Sequence, residues 1–268
     1  MISKAVKQQY MTTDLLRIRV DTHALYSERP VDLHAECVRV LGLTGSESLL
    51  DVGCGPGAFP RYLRAHGHIG GLAGLDQSSS MIVEAEGAST ELGIDWFTGV
   101  ADDLPFADGQ FDVVSARHML YHVPDITGAL REFSRVATSS GTLLAVTNGR
   151  RVTPRLADLQ NAMLTHFGLP ALPDACSTFN TDNAPDILSE VYPEVQETTV
   201  ANALVFTESA PIVAYAMTMM QVQQVADDLD LLAAVHEWLT TEAARRLAAM
   251  GGTWHDPKEV GLYVCRAA

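Results

Sequence analysis

Leu49-Leu50-Asp51-Val52-Gly53-Cys54-Gly55-Pro56-Gly57-Ala58-Phe59 is the stretch on which the reading of this chain turns. Leu49 to Val52 read as the end of a buried strand. Gly53, Gly55 and Gly57 permit a tight turn and a close approach of backbone to a ligand. Pro56 presets φ near the first turn of a following helix. Strand, glycine turn and helix N-terminus together predict a small-ligand cradle at the carboxyl end of a parallel strand.

The pattern continues outward on both sides. Downstream, a helix is expected over Ala58–His66, then a short strand Gly70–Leu75 ending in Asp76, and a helix from Ser79 to Glu91. Strands follow at Ile94–Gly99 and Phe111–Ser115. Asp125 should cap a helix over Ile126–Val136, and Ser140-Gly141 should turn into a strand over Thr142–Thr147. This alternation predicts an α/β doubly wound, mostly parallel sheet. Upstream, residues 1–13 read as an unanchored start. A helix is expected over Asp14–Tyr26, stopped by Ser27-Glu28-Arg29-Pro30, and a second from Pro30 to about Gly42. Residues 150–193 are broken by five prolines. Beyond them the chain reads as a strand Val195–Phe206, helices Ala210–Val225 and Asp228–Met250, and a last strand Glu259–Arg266. The expected division is a helical segment 1–44, an α/β core 45–149, an insertion 150–250 interleaved with late strands, and a final strand in 251–268.

Composition narrows the function classes. With 47% hydrophobic and 19% charged residues, 268 residues can bury a substantial core. The net charge of −15 offers no basic footprint for nucleic acid and disfavours an anionic membrane surface. Cys37, Cys54, Cys176 and Cys265 form no CxxC pair, so neither a zinc site nor a disulfide framework is expected, and reduced thiols point to the cytoplasm. No secretory h-region opens the chain, and the longest apolar run, Ala210–Met220, is broken by Pro211 and Thr218.

Several residues point to chemistry. Gly53, Gly55 and Ala58 also satisfy the loose dinucleotide pattern, which would make the chain an NAD-dependent oxidoreductase. Asp51 argues against it, because a carboxylate two residues before the first glycine repels a pyrophosphate and suits a ligand bearing an ammonium or sulfonium. Asp76, at the end of the next strand, can take both hydroxyls of a ribose as donors; a plain helix cap is the alternative. His118 and His122 leave the fourth strand at its carboxyl end. If that segment is helical they share a face, and either could accept a proton near neutral pH. Packing or turn capping is the alternative for His122. Arg19 and His23 share a face of the N-terminal helix.

The sequence at this point resembles the class I S-adenosylmethionine-dependent methyltransferases, in the small-molecule branch of methyltransferase type 11. Asp51-x-Gly53-x-Gly55-x-Gly57 resembles their first motif, and Gly74-Leu75-Asp76-Gln77-Ser78 their second. Gly99 to Asp112 resembles the stretch Gly-Asp-Ala-Glu-x-Leu-Pro-Phe-x-Asp-x-x-Phe-Asp. Ser115 to Asp125 resembles the segment ending in Leu-His-His-Val-x-Asp, with Tyr121 at the first His, and Asp125 to Leu144 the following helix and strand. The resemblance covers about residues 45–148. It implies a seven-stranded Rossmann-like sheet, with the last strand antiparallel beside the fifth and an N-terminal helical lid. It implies S-adenosyl-L-methionine as cofactor, S-adenosyl-L-homocysteine as product and no metal. Asp51, Gly53, Cys54, Gly55 and Gly57 would seat the methionine tail, with Arg117 near it by its backbone. Asp76 would bind the ribose, and Gln77 and Met81 would flank the adenine. The family's acidic adenine contact is Val100 here, so that recognition would lean on Ala101 and Asp102. Tyr26 would cover the site. The implied reaction is methyl transfer to an O, N or C nucleophile of a small metabolite, in secondary metabolism, by an enzyme compatible with a homo-oligomer. A non-catalytic cofactor-binding regulatory protein on the same fold is the other reading. Met163–Phe167 and Met217–Met220 could line an acceptor pocket, or simply pack.

Overall fold

The computed structural model of the chain describes residues 13–150, 152–173 and 175–266; the start of the chain over residues 1–12 lies outside them. Helices α1 (Thr13–Tyr26) and α2 (Leu33–Leu41) precede strand β1 (Leu49–Val52). Then come α3 (Ala58–Ala65), β2 (Leu72–Asp76), α4 (Ser79–Gly87), β3 (Ile94–Thr98) and β4 (Phe111–Arg117), followed by α5 (Ile126–Val136) and β5 (Ala137–Asn148). The remainder is α6 (Pro154–Phe167), α7 (Ala184–Ser189), β6 (Glu194–Phe206), α8 (Ser209–Met217), α9 (Met220–Gln223), α10 (Leu229–Ala249) and β7 (Trp254–Arg266). The sheet has seven strands in the order β3-β2-β1-β4-β5-β7-β6. Strands β1 to β5 pair in parallel, and β7 pairs antiparallel with β5, so the expected mostly parallel sheet with a reversed last strand is what forms.

Contacts divide the chain into two compact units. A sheet unit comprises residues 32–150, 175–200 and 260–268, and a helical unit comprises residues 1–31, 151–174 and 201–259. In the sheet unit successive residues of β1 feed two cores, as the period of a strand requires. Leu49 packs with Phe59, Leu63, Val113 and Leu144, whereas Leu50 packs with Leu130, Phe133 and Tyr192. All four residues of β1 are buried, because helices cover both faces of a parallel sheet. The helical unit has its own core of Leu156, Met163, Phe206, Ile212, Leu239 and Trp254.

Three local expectations change. The Ser140-Gly141 turn is instead part of β5, which begins at Ala137. The register slips between Phe111 and Val113 of β4, and Gly141 takes up the irregularity: a methyl group there would sit 2.9 Å from the backbone nitrogen of Thr138. The helix expected over Ala210–Val225 breaks at Thr218, whose buried hydroxyl donates to the Tyr215 carbonyl at 2.7 Å while Met219 turns extended. Strand β7 starts at Trp254, five residues before the expected Glu259. Asp256 explains the early start. Fully buried, it accepts the backbone N–H groups of Arg155 at 3.0 Å and Leu156 at 2.9 Å and the Trp254 indole N–H at 3.2 Å. It thus caps the N-terminus of α6 from a hundred residues away.

Candidate ligand site at the carboxyl end of the sheet

Gly53, Gly55 and Gly57 all adopt positive φ, at 66°, 54° and 75°. This left-handed path lets the chain leave β1 and enter α3 without strain. The backbone N–H groups of Gly53 and Cys54 donate to the Leu75 carbonyl at 2.7 and 3.1 Å, that of Gly57 to the Cys54 carbonyl at 3.1 Å, and that of Gly55 to Oδ2 of Asp76 at 2.9 Å. Four turn amides are therefore consumed within the protein. A dinucleotide pyrophosphate needs such amides pointing at the ligand.

Asp76 links the turn to the next helix. Its other oxygen accepts the backbone N–H of Ser78 at 2.9 Å. Burial pushes its carboxyl up, opposed by the amides of Ser78 and Gly55. A carboxylate has about four acceptor positions, so two remain for donors such as a pair of hydroxyls. Above Gly55 the space is open, with nothing within 4 Å of where a Cβ would stand.

Asp51 is held in a way the sequence did not disclose. Ser115, its cross-strand partner on β4, donates its hydroxyl to Oδ1 at 2.8 Å. Arg117, two residues on, donates from Nε at 3.4 Å and from Nη2 to Oδ2 at 3.1 Å. Its guanidinium lies 4.2 Å from the centre of the Phe59 ring. The Asp51 side chain is 1% exposed and that of Arg117 12%. The site thus presents a carboxylate and a guanidinium side by side, with N–H donors left on Arg117.

The other expected site residues fall as follows. Cys54 is buried beneath the turn, and burial pushes its thiol well up. Met81 is 2% exposed within α4, and Gln77 and Asp102 are exposed. Ala101 is 9% exposed, beside a bridge between Val100 and Asp103. His118 follows β4 directly, in the left-handed region at φ 54°, and its N–H donates to the Val146 carbonyl at 2.8 Å. Leu120 to His122 form a single 3-10 turn. The condition for His118 and His122 to share a helical face is therefore not met, because the left-handed residue ends the strand before any helix can run through both. Tyr26 belongs to the helical unit, where its ring packs 5.0 Å from that of Phe206. Met163 is buried in that unit's core, with Met217 and Met219 packed against it.

Two neighbours of the turn were missed. Trp96, Gly74 and Asp51 occupy one row across β3, β2 and β1. Gly74 leaves room for the indole, which reaches over to Gly57: a Cβ on either glycine would strike the ring. The indole N–H donates to Ser89 Oγ at 3.0 Å. A mid-strand glycine with a tryptophan nearby was the available signal. His34 of α2 lies 5.6 Å from the Phe59 ring and 5.0 Å from that of Tyr62. Burial and then the Arg117 charge lower its pKa to about 4, so it is neutral near pH 7. Among the described residues no three His, Cys, Asp or Glu could hold a metal ion, and no helix is long and apolar enough to cross a membrane.

Residues 50–145 match the family model described as a methyltransferase domain. The chain is 32% identical over 130 residues to the 2-phytyl-1,4-naphtoquinone methyltransferase of Synechococcus elongatus, covering 47% of this chain and 56% of that one. It is 34% identical over 122 residues to the sarcosine/dimethylglycine N-methyltransferase of Halorhodospira halochloris, covering 44% and 43%. The chain thus spans about half the length of the curated relatives it matches. In fold it is similar to the [4+2]-cyclase SpnF, with a TM-score of 0.61 at 17% identity over 98% of this chain and 95% of that one.

Proposed function

We propose, from the match of residues 50–145 to a methyltransferase domain, that the chain binds S-adenosylmethionine at the Gly53–Gly57 turn and transfers its methyl group to an O, N or C nucleophile of a small molecule. The observation that carries this reading is the pair of carboxylates flanking the turn. Asp76 keeps two acceptor positions for the ribose hydroxyls. Asp51 and Arg117 form a paired carboxylate and guanidinium, the complement of the ammonium and carboxylate of an amino-acid tail. The open backbone at Gly55 admits a ligand closely. The consumed turn amides speak against a pyrophosphate, and so against the oxidoreductase reading.

The cofactor, when bound, supplies an electrophilic methyl on a good leaving group. What the chain contributes is orientation. Asp76 and the turn fix one end of the ligand, and Asp51 with Arg117 fixes the other, so that a nucleophile can approach in line. His118, at the carboxyl end of β4 beside Arg117, is our candidate proton acceptor for a protonated nucleophile, with His122 second. The relatives that share this segment are named for a naphtoquinone and for sarcosine or dimethylglycine. This supports assigning choice of acceptor to residues outside 50–145.

Isothermal titration of the full chain with S-adenosylmethionine and with NAD tests the cofactor. Binding of the former alone is expected, weakened tenfold or more in Asp76→Ala with the fold retained; binding of NAD alone overturns the reading. Transfer of labelled methyl to a panel of small acceptors then tests catalysis. Tight cofactor binding with no transfer to any acceptor would favour the non-catalytic alternative.

A further inference from the structure

The helical unit holds a cluster of titratable groups that the methyl-transfer reading does not use. Lys258 of β7 donates from Nζ to Nδ1 of His23 on α1 at 2.8 Å and to the Ser27 hydroxyl at 2.7 Å. On the far side of the imidazole, Nε2 lies 3.2 Å from the Tyr215 hydroxyl of α8, and the two rings meet edge to face with centres 5.6 Å apart. Elements α1, α8 and β7 therefore meet around the His23 imidazole.

Both acceptors of the Lys258 ammonium are neutral. His23 must offer a lone pair at Nδ1 to receive the bond, which fixes it as the neutral tautomer with its proton on Nε2. Among the described residues no carboxylate lies within 4.0 Å of Lys258. The acidic groups around it are otherwise engaged: Glu28, beside Ser27, with His255 at 3.0 Å, and Asp256, two residues along β7, with two backbone N–H donors at the start of α6 and the Trp254 indole N–H. Asp21 of α1 faces Arg17, and strand alternation sends Glu259 to the opposite face from Lys258. The ammonium is partly buried, and desolvation lowers its pKa to about 8. A cation withdrawn from water without a counter-ion is costly, and a bound anion relieves that cost. An ammonium has three N–H donors and Lys258 uses two, so one remains. Lys258, His23 and Ser27 are each only part-buried, so the cluster is not sealed from solvent.

We propose that Lys258, steadied by His23 and Ser27, is the anchor of a binding site in the helical unit for a small-molecule oxyanion, a carboxylate or an ionised phenol or enol. The site takes the ligand by a charge-assisted hydrogen bond from the third N–H of Lys258. Tyr215 holds the imidazole from behind, so the ammonium is fixed before the ligand arrives and loses little freedom on binding.

The test is a nuclear magnetic resonance titration of the full chain carrying lysine labelled with ¹³C at Cε. Sodium benzoate and sodium 4-nitrophenolate are the oxyanion probes, and benzamide is the neutral control. The expected result is a saturable shift of the Lys258 resonance with at least one oxyanion, a rise of its titration midpoint above about 8, and no saturable response to benzamide. Lys258→Met should weaken oxyanion binding at least tenfold and Lys258→Arg should retain it, while S-adenosylmethionine binding stays unchanged in both. Equal responses to benzoate, 4-nitrophenolate and benzamide, or none to either oxyanion, overturn the proposal. So does oxyanion binding that survives in Lys258→Met. The wild-type titration decides alone should a variant fail to fold, and cofactor binding in the same samples reports separately on the methyl-transfer reading.

Discussion

Arg117 in the sheet unit and Lys258 in the helical unit are both cations drawn away from bulk water, and they are held by opposite means. Arg117 meets a carboxylate that is itself 1% exposed, and its flat face lies against Phe59. Among the described residues, Lys258 meets a hydroxyl and a neutral imidazole. A paired ion costs little until one partner is removed, because the survivor is then left charged in a poor solvent. An unpaired ion carries its cost continuously and can lose it in two ways, by shedding a proton or by gaining an anion. The first arrangement suits a scaffold and the second a receptor.

The largest expected effect breaks the first arrangement. Arg117→Met should strand Asp51 and lower stability by about 3–5 kcal/mol, read as a drop in the urea midpoint. A loss below about 1 kcal/mol, the range of an exposed pair, would mean that Asp51 is not kept in place by Arg117. Gly57→Ala comes next. It combines a left-handed φ with a collision against Trp96, for a loss of about 2–3 kcal/mol. Trp96→Leu in the same chain should return part of it in a double-mutant cycle, and strict additivity would show that the indole does not constrain the turn. Asp256→Ala removes the cap of α6 and should cost about 1–2 kcal/mol in the same denaturation assay. Lys258→Met should not lower stability at pH 7, because it removes the cost of the buried ammonium, in contrast to Arg117→Met; a loss as large as that of Arg117→Met would erase the comparison.

The same burial cost can be read as a slope with pH. Lys258 titrates near 8 in the folded chain against an ordinary 10.5. Below about 8 both states hold the proton and the full cost of the buried ammonium is present. Between about 8 and 10.5 the unfolded chain binds more protons than the folded one, so stability rises with pH through that window. The rise attributable to this group should vanish in Lys258→Met. An unchanged slope between wild type and variant would place the titration elsewhere.

Legibility followed sequence distance. The glycine turn, Asp51 and Asp76 could be read because a strand end, a tight turn and a cap are local events, and the chemistry sits within a few residues of the signal. The order of elements was likewise readable, since hydrophobic period and turn residues mark each element, whereas the reversed last strand was implied by the family resemblance alone. Asp51–Arg117 was not, because the partners are 66 residues apart and nothing in either neighbourhood reports the pairing of β1 with β4. Arg117 was read for its backbone, whereas the structure makes its side chain the stronger feature. The face shared by His118 and His122 failed because one residue at φ 54° ends the strand, a conformation that no residue type at that position announces. Lys258 and His23, 235 residues apart, were beyond any local rule.

The chain passes from one unit to the other at residues 31/32, 150/151, 174/175, 200/201 and 259/260. Strands β6 and β7 each carry one of these crossings within their length. The helical unit is therefore not a cassette. No single cut releases it, and an exchange meant to alter acceptor choice must graft three separate pieces in register. Synthesis imposes the same condition. The earliest described helix, α1, waits for Lys258, 235 residues further along, so a ribosome must pass residue 258 before either unit has all its parts.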